Sequence, residues 1–418
     1  MMAAHSAGTP TVPPWRVFLG IGALYLGFGV IVALLQGGLP PILRARGLSM
    51  DQITWTFALY LPLGLSFAWA PLVDRLRLPF LSPRIGWIVA AQAVVVAALV
   101  AVALLEHAAL PLLFALGLAA GLAVATMDLA LDALAVEMTG EHLKPLAASL
   151  KLAALALGSM LGGGVFVGLL ARIGWAPTFA LVAALMVAAL VPVFGLVRAD
   201  HAAGLQRTAA GPRLYEALGQ ARMRRRLGLL AVVAGVIFPL SALNRVMLVD
   251  VGVPLERIAW LVGTAQPLGM LAASAAAGPL IRRLGNGGAF AAFAALGMAS
   301  LGLLWWGAHA GAPGPAIAGA IGMATAVGGL MVVCAALMLV WSAGTQAATS
   351  YAVLFCGTRL AGIVATVAAG KLAAQIDWQT FYAAGAAALA AATLLFLAGL
   401  RTLAPSLSHN PRNAHGNT

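Results

Sequence analysis

The sequence predicts an all-α polytopic membrane protein, with twelve transmembrane helices arranged as two six-helix bundles. Three observations predict it. Hydrophobic residues make up 62% of the 418-residue chain and charged residues only 9%, for a mean hydropathy of +0.99. A soluble domain carries about 25% charged residues, and 24 basic plus 12 acidic side chains cannot cover a water-facing surface of this length. The apolar residues fall into twelve stretches long enough to cross a bilayer. Finally, the second half of the chain repeats the first.

A spanning helix needs about 20 apolar residues. Six stretches satisfy this in the first half, at 15–43, 51–73, 85–105, 110–138, 146–171 and 177–197. Six more follow at 227–250, 257–280, 288–309, 315–341, 349–372 and 379–401. Gly, Pro and charged residues mark the short loops between them. The longest polar stretch, 198–226, separates the halves. The expected organisation is a tail at 1–14, a bundle at 15–197, a central loop at 198–226, a bundle at 227–401 and a tail at 402–418. The first 14 residues lack the basic cluster of a signal peptide, and the first apolar run is too long for its core.

Orientation follows from the basic residues. With the N-terminus in the cytoplasm, 17 Lys and Arg fall inside, five fall outside (Arg44, Arg46, Arg172, Arg257 and Lys371), and Arg245 and Arg359 lie within spans. Basic residues concentrate on the cytoplasmic side of membrane proteins. Both termini are therefore expected in the cytoplasm, in a bacterial inner membrane. The net charge of +12 does not point to nucleic acid, because the basic residues sit in loops. Arg222, Arg224, Arg225 and Arg226 read as a topology determinant at the foot of span seven, with a lipid-signalling or nucleic-acid patch as the alternative.

The repeat is specific. Gly47-Leu-Ser-Met-Asp-Gln-Ile-Thr-Trp55 aligns with Gly252-Val-Pro-Leu-Glu-Arg-Ile-Ala-Trp260 at an offset of 205. Pro62-Leu-Gly64 and Pro267-Leu-Gly269 keep that offset, as do Leu76-Arg77 and Ile281-Arg282. A six-span unit duplicated in the same orientation resembles the two-bundle plan of major facilitator transporters. That plan places cargo between the halves, which rock about it.

Three stretches carry a narrower resemblance: Gly38-Leu-Pro40 with Leu43-Arg-Ala-Arg-Gly-Leu-Ser49, then Phe67-Ala-Trp-Ala-Pro-Leu-Val-Asp-Arg75 with Arg84-Ile-Gly-Trp87 and Gln92, then Met127-Asp-Leu-Ala-Leu-Asp-Ala133. They resemble the group of AmpG-like muropeptide permeases, acetyl-coenzyme A transporters and RhtX/FptX-like siderophore importers. Met127 stands where that group often has Gln, and Ala156, 28 residues after Asp128, where muropeptide-type members carry Arg. The Leu-x-Arg-x-Arg-Gly-Leu-Ser passage is closer to the siderophore branch, which implies import of a small iron chelate. The resemblance also implies that Asp74 and Arg75 form a loop latch between the halves, where Asp74 would cap the positive N-terminal end of span eleven; the plain alternative is an interfacial flank of span two.

Charges inside a bilayer are costly and mark functional candidates. Four lie well inside the spans: Asp128, Asp132, Arg245 and Arg359, with Lys151 just inside span five. Asp128 and Asp132, four residues apart, share a helix face. They read either as a proton site or as part of a structural gate, with Lys151 at the depth of Asp132. Arg359 matches the depth of Asp128, roughly 15 Å from the cytoplasmic end at 1.5 Å per residue. A bridge between them would link the halves; otherwise Arg359 bonds helix carbonyls. Arg245, after Asn244, is expected to meet an anionic cargo, to snorkel outward or to pair with Asp250. Tyr25, Gln36 and Gln266 offer neutral hydrogen bonds to a ligand.

Gly158, Gly162, Gly163, Gly164 and Gly168 suggest close helix packing in span five. Met323, Met331 and Met338 in span ten read as lipid-facing or core residues. The two cysteines, Cys334 and Cys356, lie in apolar runs and form no redox or metal motif. Histidines 5, 107, 142, 201, 309 and 415 have no metal spacing, and no glycine run has nucleotide-binding spacing. No nucleophile–base pair points to an enzyme, and no cofactor is expected. The expected protein is a monomeric, proton-coupled inner-membrane importer of a small molecule such as a ferric siderophore. Its partners are that cargo, protons and the lipid bilayer. The alternatives are a permease for muropeptides or other conjugates, a drug or metabolite exporter, and a non-transporting assembly factor.

Overall fold

The computed structural model describes residues 13–139, 143–204, 219–342 and 347–403. Among them, ten helical stretches are long and apolar enough to cross a membrane. They are α1 (Pro14–Ala45), α3 (Pro83–Leu104), α4 (Leu110–Met138), α5 (Leu146–Ile173), α6 (Trp175–Ala202), α7 (Ala221–Asp250), the 56-residue stretch Leu255–Ala310, α10 (Pro313–Ser342), α11 (Ser350–Ala373) and α12 (Trp378–Thr402). The 56-residue stretch is two spans, α8 (255–284) and α9 (286–310), because Gly285 reverses the chain at φ 70. Gly tolerates that left-handed backbone without a Cβ penalty.

The twelfth span, α2 (50–75), was expected as one regular helix over 51–73, and it is instead a relay of short pieces. Met50–Thr54, Leu61–Leu65 and Ala70–Arg75 are α-helical, joined by tighter turns at Trp55–Tyr60 and Ser66–Ala68. Pro62 and Pro71 explain the breaks, since each removes a backbone donor and crowds the preceding turn. The expected central loop also shortens. Val197–Gly204 is helical and α7 begins at Ala221, so Arg222 to Arg226 lie on its first turns. Most of the expected tails, the middle of the central loop and histidines 5, 142 and 415 lie outside the described residues.

Two hydrophobic cores form, one built mainly from each half, and the second also takes in Leu43, Met50, Ile53 and Phe57 of the first half. The first packs Ile21, Val124, Leu131, Val182 and Met186; the second packs Ile237, Phe290, Met323, Leu330 and Phe396. The repeat is also visible in the backbone. α1 ends with Leu48 N–H bonded to Leu43 O and Gly47 N–H to Arg44 O; α7 ends with Val253 N–H on Leu248 O and Gly252 N–H on Val249 O. Gly47 and Gly252 have φ of 86 and 83. This is the same glycine-closed helix end, used twice.

The span-five glycines bring backbones into contact. A Cβ on Gly162 would lie 2.1 Å from Val30 O, and one on Gly158 2.3 Å from Leu26 O. Gly162→Val is therefore expected to force α1 and α5 apart at a cost of about 1–3 kcal/mol. The detergent-solubilised variant should melt below the wild type, whereas Gly228→Ala, with nothing within 4 Å, should not.

Candidate functional site: the cavity between the halves

The chain's two ends of the bundle differ in charge. One, here the basic end, carries Arg75, Arg84, Arg198, Arg222, Arg282 and Arg401. At the opposite, far end, the two halves are clasped together. Arg44 of α1 pairs with Asp250 of α7 at 2.5 Å, and Arg172 of α5 pairs with Glu256 of α8 at 2.6 Å. Two related cation–aromatic contacts join them. The Arg172 guanidinium lies 5.6 Å from the Trp260 ring of α8, and the Lys371 ammonium of α11 lies 4.7 Å from the Trp55 ring of α2. Trp55 and Trp260 are repeat mates, so the clasp follows the internal symmetry. Small residues make the approach possible: a Cβ on Gly263 would meet Gly163 O at 2.3 Å.

Beneath this clasp lies a cavity of about 340 Å³ between the halves. Gln36, Tyr60 and Ser159 line it from the first half; Phe238, Arg245, Gln266, Met331 and Arg359 are among those from the second. Among the described residues its lining contains two arginines and no carboxylate. Arg359 forms no ion pair with any described residue and lies 5.9 Å from the Tyr60 ring. Tyr60 donates its hydroxyl to Val32 O at 3.1 Å. Met331 and Met338 pack on the second core, as expected, and also line the cavity. Met323 is fully buried.

Arg245 forms the far-end roof. It is buried, and its Nε and Nη2 donate to Gln266 Oε1 at 2.9 and 2.7 Å. Its Nη1 donates to Gly37 O and Gly163 O, both at 3.0 Å. Gln266 is itself fixed by donating Nε2 to Ala320 O at 3.0 Å. Both glycines sit in wide helical turns, Leu34–Gly38 in α1 and Leu161–Val165 in α5. Such π-type turns leave carbonyls without their usual partner. The pairing of Arg245 with Asp250 does not occur, because Arg44 and the Trp378 Nε1 donor occupy that carboxylate. Nor does Arg245 snorkel: its acceptors all lie inside the bundle.

Two expected ligand groups are not in the cavity. Tyr25 donates its hydroxyl to Asp132 Oδ1 at 2.6 Å. It is turned towards α4 because a buried phenol needs an acceptor and Asp132 supplies one. Asn244 is fully buried behind Gln266, with its amide 3.5 Å from Ala320 O. Gln36 and Gln266 do line the cavity.

The carboxylates of α4 lie outside the cavity lining. Asp132 accepts from Lys151 of α5 at 2.5 Å as well as from Tyr25, joining α1, α4 and α5. Asp128, one turn away, has a buried Oδ1 with no hydrogen-bond partner. No ion pair links Asp128 to Arg359 in this conformation, with its far end closed.

At the basic end the residues before α11, where Asp74 was expected to cap, lie outside the described residues. Asp74 accepts from Arg84 of α3 at 2.6 Å, and Arg84 also reaches Glu137 of α4 at 3.2 Å. Arg84 is nearly buried between these two carboxylates, which draws Asp74 into its own half. Arg75 is exposed beside it. The sequence reading missed Asp200, which is fully buried and accepts from the Arg84 and Ile85 backbone N–H groups at 2.8 and 3.1 Å. A carboxylate there compensates the unpaired donors and positive dipole at the start of α3. Its only signal was a lone acid in a polar stretch. The motif tryptophans are structural too: Trp69 Nε1 donates to Thr126 Oγ1 at 3.2 Å and Trp87 Nε1 to Leu76 O at 2.9 Å.

Comparison with known proteins agrees with this architecture. Over 172 residues the chain is 27% identical to the anhydromuropeptide permease of Escherichia coli K12, covering 40% of this chain and 35% of that protein. It is 30% identical over 174 residues to an uncharacterised protein of Haemophilus influenzae, covering 40% of each. The chain thus matches well under half the length of these relatives. Among solved structures, the nucleoside transporter NupG superposes with a TM-score of 0.71 at 13% identity, covering 92% of this chain and 99% of that one. The D-xylose-proton symporter gives 0.67 at 13% identity, with 92% and 97% covered. These structures share the fold. The Major Facilitator Superfamily model matches residues 17–244, more than half of the sequence. With twelve spans in two repeated bundles around a central cavity, the chain belongs to the Major Facilitator Superfamily.

Proposed function

We propose that the protein is a secondary active importer that works by alternating access, with protons as the coupling ion. The observation that carries this reading is the cavity between the halves, roofed by Arg245 and bordered by Arg359. The basic end is the cytoplasmic end by the distribution of Lys and Arg, so the clasped far end faces outward and the conformation is inward-facing. The membrane is the bacterial inner membrane.

Protons are carried by the α4 pair, Asp128 and Asp132, with Lys151 as the switchable partner of Asp132. Asp74 and Arg75 form the latch that closes the basic end in the opposite conformation. Arg84 holds Asp74 while the basic end is open.

The cargo is a small conjugate. The motif around Leu43-Arg-Ala-Arg-Gly-Leu-Ser49 supports a ferric siderophore. A second reading, an anhydromuropeptide, is supported by the similarity to the E. coli permease. Purified protein in proteoliposomes decides between them. With an acidic exterior, labelled cargo of the correct class should accumulate, and a protonophore should abolish the accumulation. If both cargoes remain outside, both assignments fail, and a non-transporting scaffold gains support.

A further inference from the structure

We infer that Arg245 is a shared cation, which binds an acidic group of the cargo when the far end is open and gives it up to the carbonyls of Gly37 and Gly163 when that end closes. The inference rests on the reading that cargo occupies the central cavity. It adds the cargo's chemical class, an anion with an apolar body, and a mechanism of release.

Arg245 is a buried charge without a counter-charge. Every acceptor it has is neutral: one amide oxygen and two backbone carbonyls. Buried arginines are ordinarily neutralised by a carboxylate. Among the described residues no acid lines the cavity, and a second arginine, Arg359, opens onto the same space. Such a lining repels cations and leaves an anion to complete the charge balance. The rest of the wall includes Phe238, Met270, Val327 and Phe355, which suit an apolar body.

The acceptors divide between the halves. Gln266 belongs to α8, on the same half as Arg245, and keeps it positioned in either state. Gly37 and Gly163 belong to α1 and α5, on the opposite half. Opening the far end must carry both carbonyls away from Nη1, freeing two guanidinium donors that face the cavity. A carboxylate or phosphate oxygen takes such donors more strongly than a carbonyl does. When the halves close again, the two carbonyls return together and displace the anion towards the basic end. A Cβ would stand 2.8 Å from Nη1 at Gly37 and 3.0 Å at Gly163, so a side chain at either place would push the guanidinium off these carbonyls.

The test uses a chain with Cys334 and Cys356 replaced by serine and one reporter, Thr54→Cys. Thr54 is fully buried against Gly370 of α11, so it reacts with an impermeant maleimide only when the far end opens. The probes are the anhydromuropeptide tripeptide, a citrate-based ferric siderophore and phenylacetate, each paired with its methyl ester. In the parent chain at least one acid should raise labelling at about tenfold lower concentration than its ester, the scale of a lost charge-assisted hydrogen bond. Arg245→Gln should bring acid and ester within about twofold, while Arg245→Lys should retain part of the preference. Gly37→Ala should raise basal labelling and strengthen the response to the acid, because it weakens the competing contact. A role confined to holding the gate shut would raise basal labelling in Arg245→Gln and leave the acid-to-ester ratio unchanged; that result overturns the inference, as does the absence of any acid preference in the parent chain. Preference for phenylacetate alone would support the anion site and reject both named cargoes.

Discussion

Asp128→Asn should abolish accumulation of cargo against its gradient while leaving equilibrating exchange in place. Asp132 is already engaged by Lys151 and Tyr25. Asp128, on the same helix face, has a buried carboxylate oxygen with no partner. A buried polar atom left in that condition needs an explanation, and a role in the transport cycle supplies one. Asparagine keeps the shape and removes the exchangeable charge. If one proton moves with each cargo, a pH difference of one unit supports about tenfold accumulation, since one unit is worth about 1.4 kcal/mol. The variant should fall to equal concentrations on both sides under that gradient. Counterflow from preloaded proteoliposomes should persist, because it needs only the rocking of the halves. Asp128→Asn proteoliposomes that still concentrate cargo as the wild type does would remove Asp128 from the coupling step.

The second large effect is expected at the basic end, between α4 and α11. Arg359 has no ion pair in this conformation, and the Asp128 Oδ1 atom has no hydrogen-bond donor. In the proposed alternating-access cycle, closing the basic end would bring each helix towards the other half. A bridge between them would then form only in the outward-facing state. Either single reversal, Asp128→Arg or Arg359→Asp, places like charges together on closure and should trap the inward-facing state. Removing one partner of a buried pair costs about 3–5 kcal/mol, or roughly two to four orders of magnitude in the equilibrium. The double exchange should restore closure by a factor of about ten or more over either single change. Labelling at Thr54→Cys measures it, because outward opening exposes that site. Proton coupling need not return, since the carboxylate has moved to the other half. Equal labelling in the double and single variants would dismiss the bridge.

The sequence by itself determined the spans, the duplication and the short list of intramembrane charges. These are legible because the bilayer enforces them locally. A span needs an apolar run of fixed length, an intramembrane charge stands out against it, and a duplicated helix end repeats the glycine of the same turn. Gly47 and Gly252 could be matched by eye, and their backbones are nearly identical. The pairing of Lys151 with Asp132 was legible too, because depth along two neighbouring helices follows from residue counts.

Partner choice was decided only by the tertiary structure. Tyr25 reads equally well as a cargo ligand, but the side of α1 it faces depends on where α4 packs. Asp74 carries a motif that suggests a contact between halves, and the structure shows it paired with Arg84 of its own half. Asp250 is within reach of Arg245 along the chain, and Arg44 from the other half reaches it instead. Most of all, little in the sequence marks Gly37 and Gly163 as acceptors. Pro41 has no N–H to offer the Gly37 carbonyl four residues before it, but nothing singles out Gly163. Both glycines lie where α1 and α5 widen into π-type turns between the two halves. Which carbonyls are free is set by helix geometry and by the approach of a side chain 82 and 208 residues away along the chain.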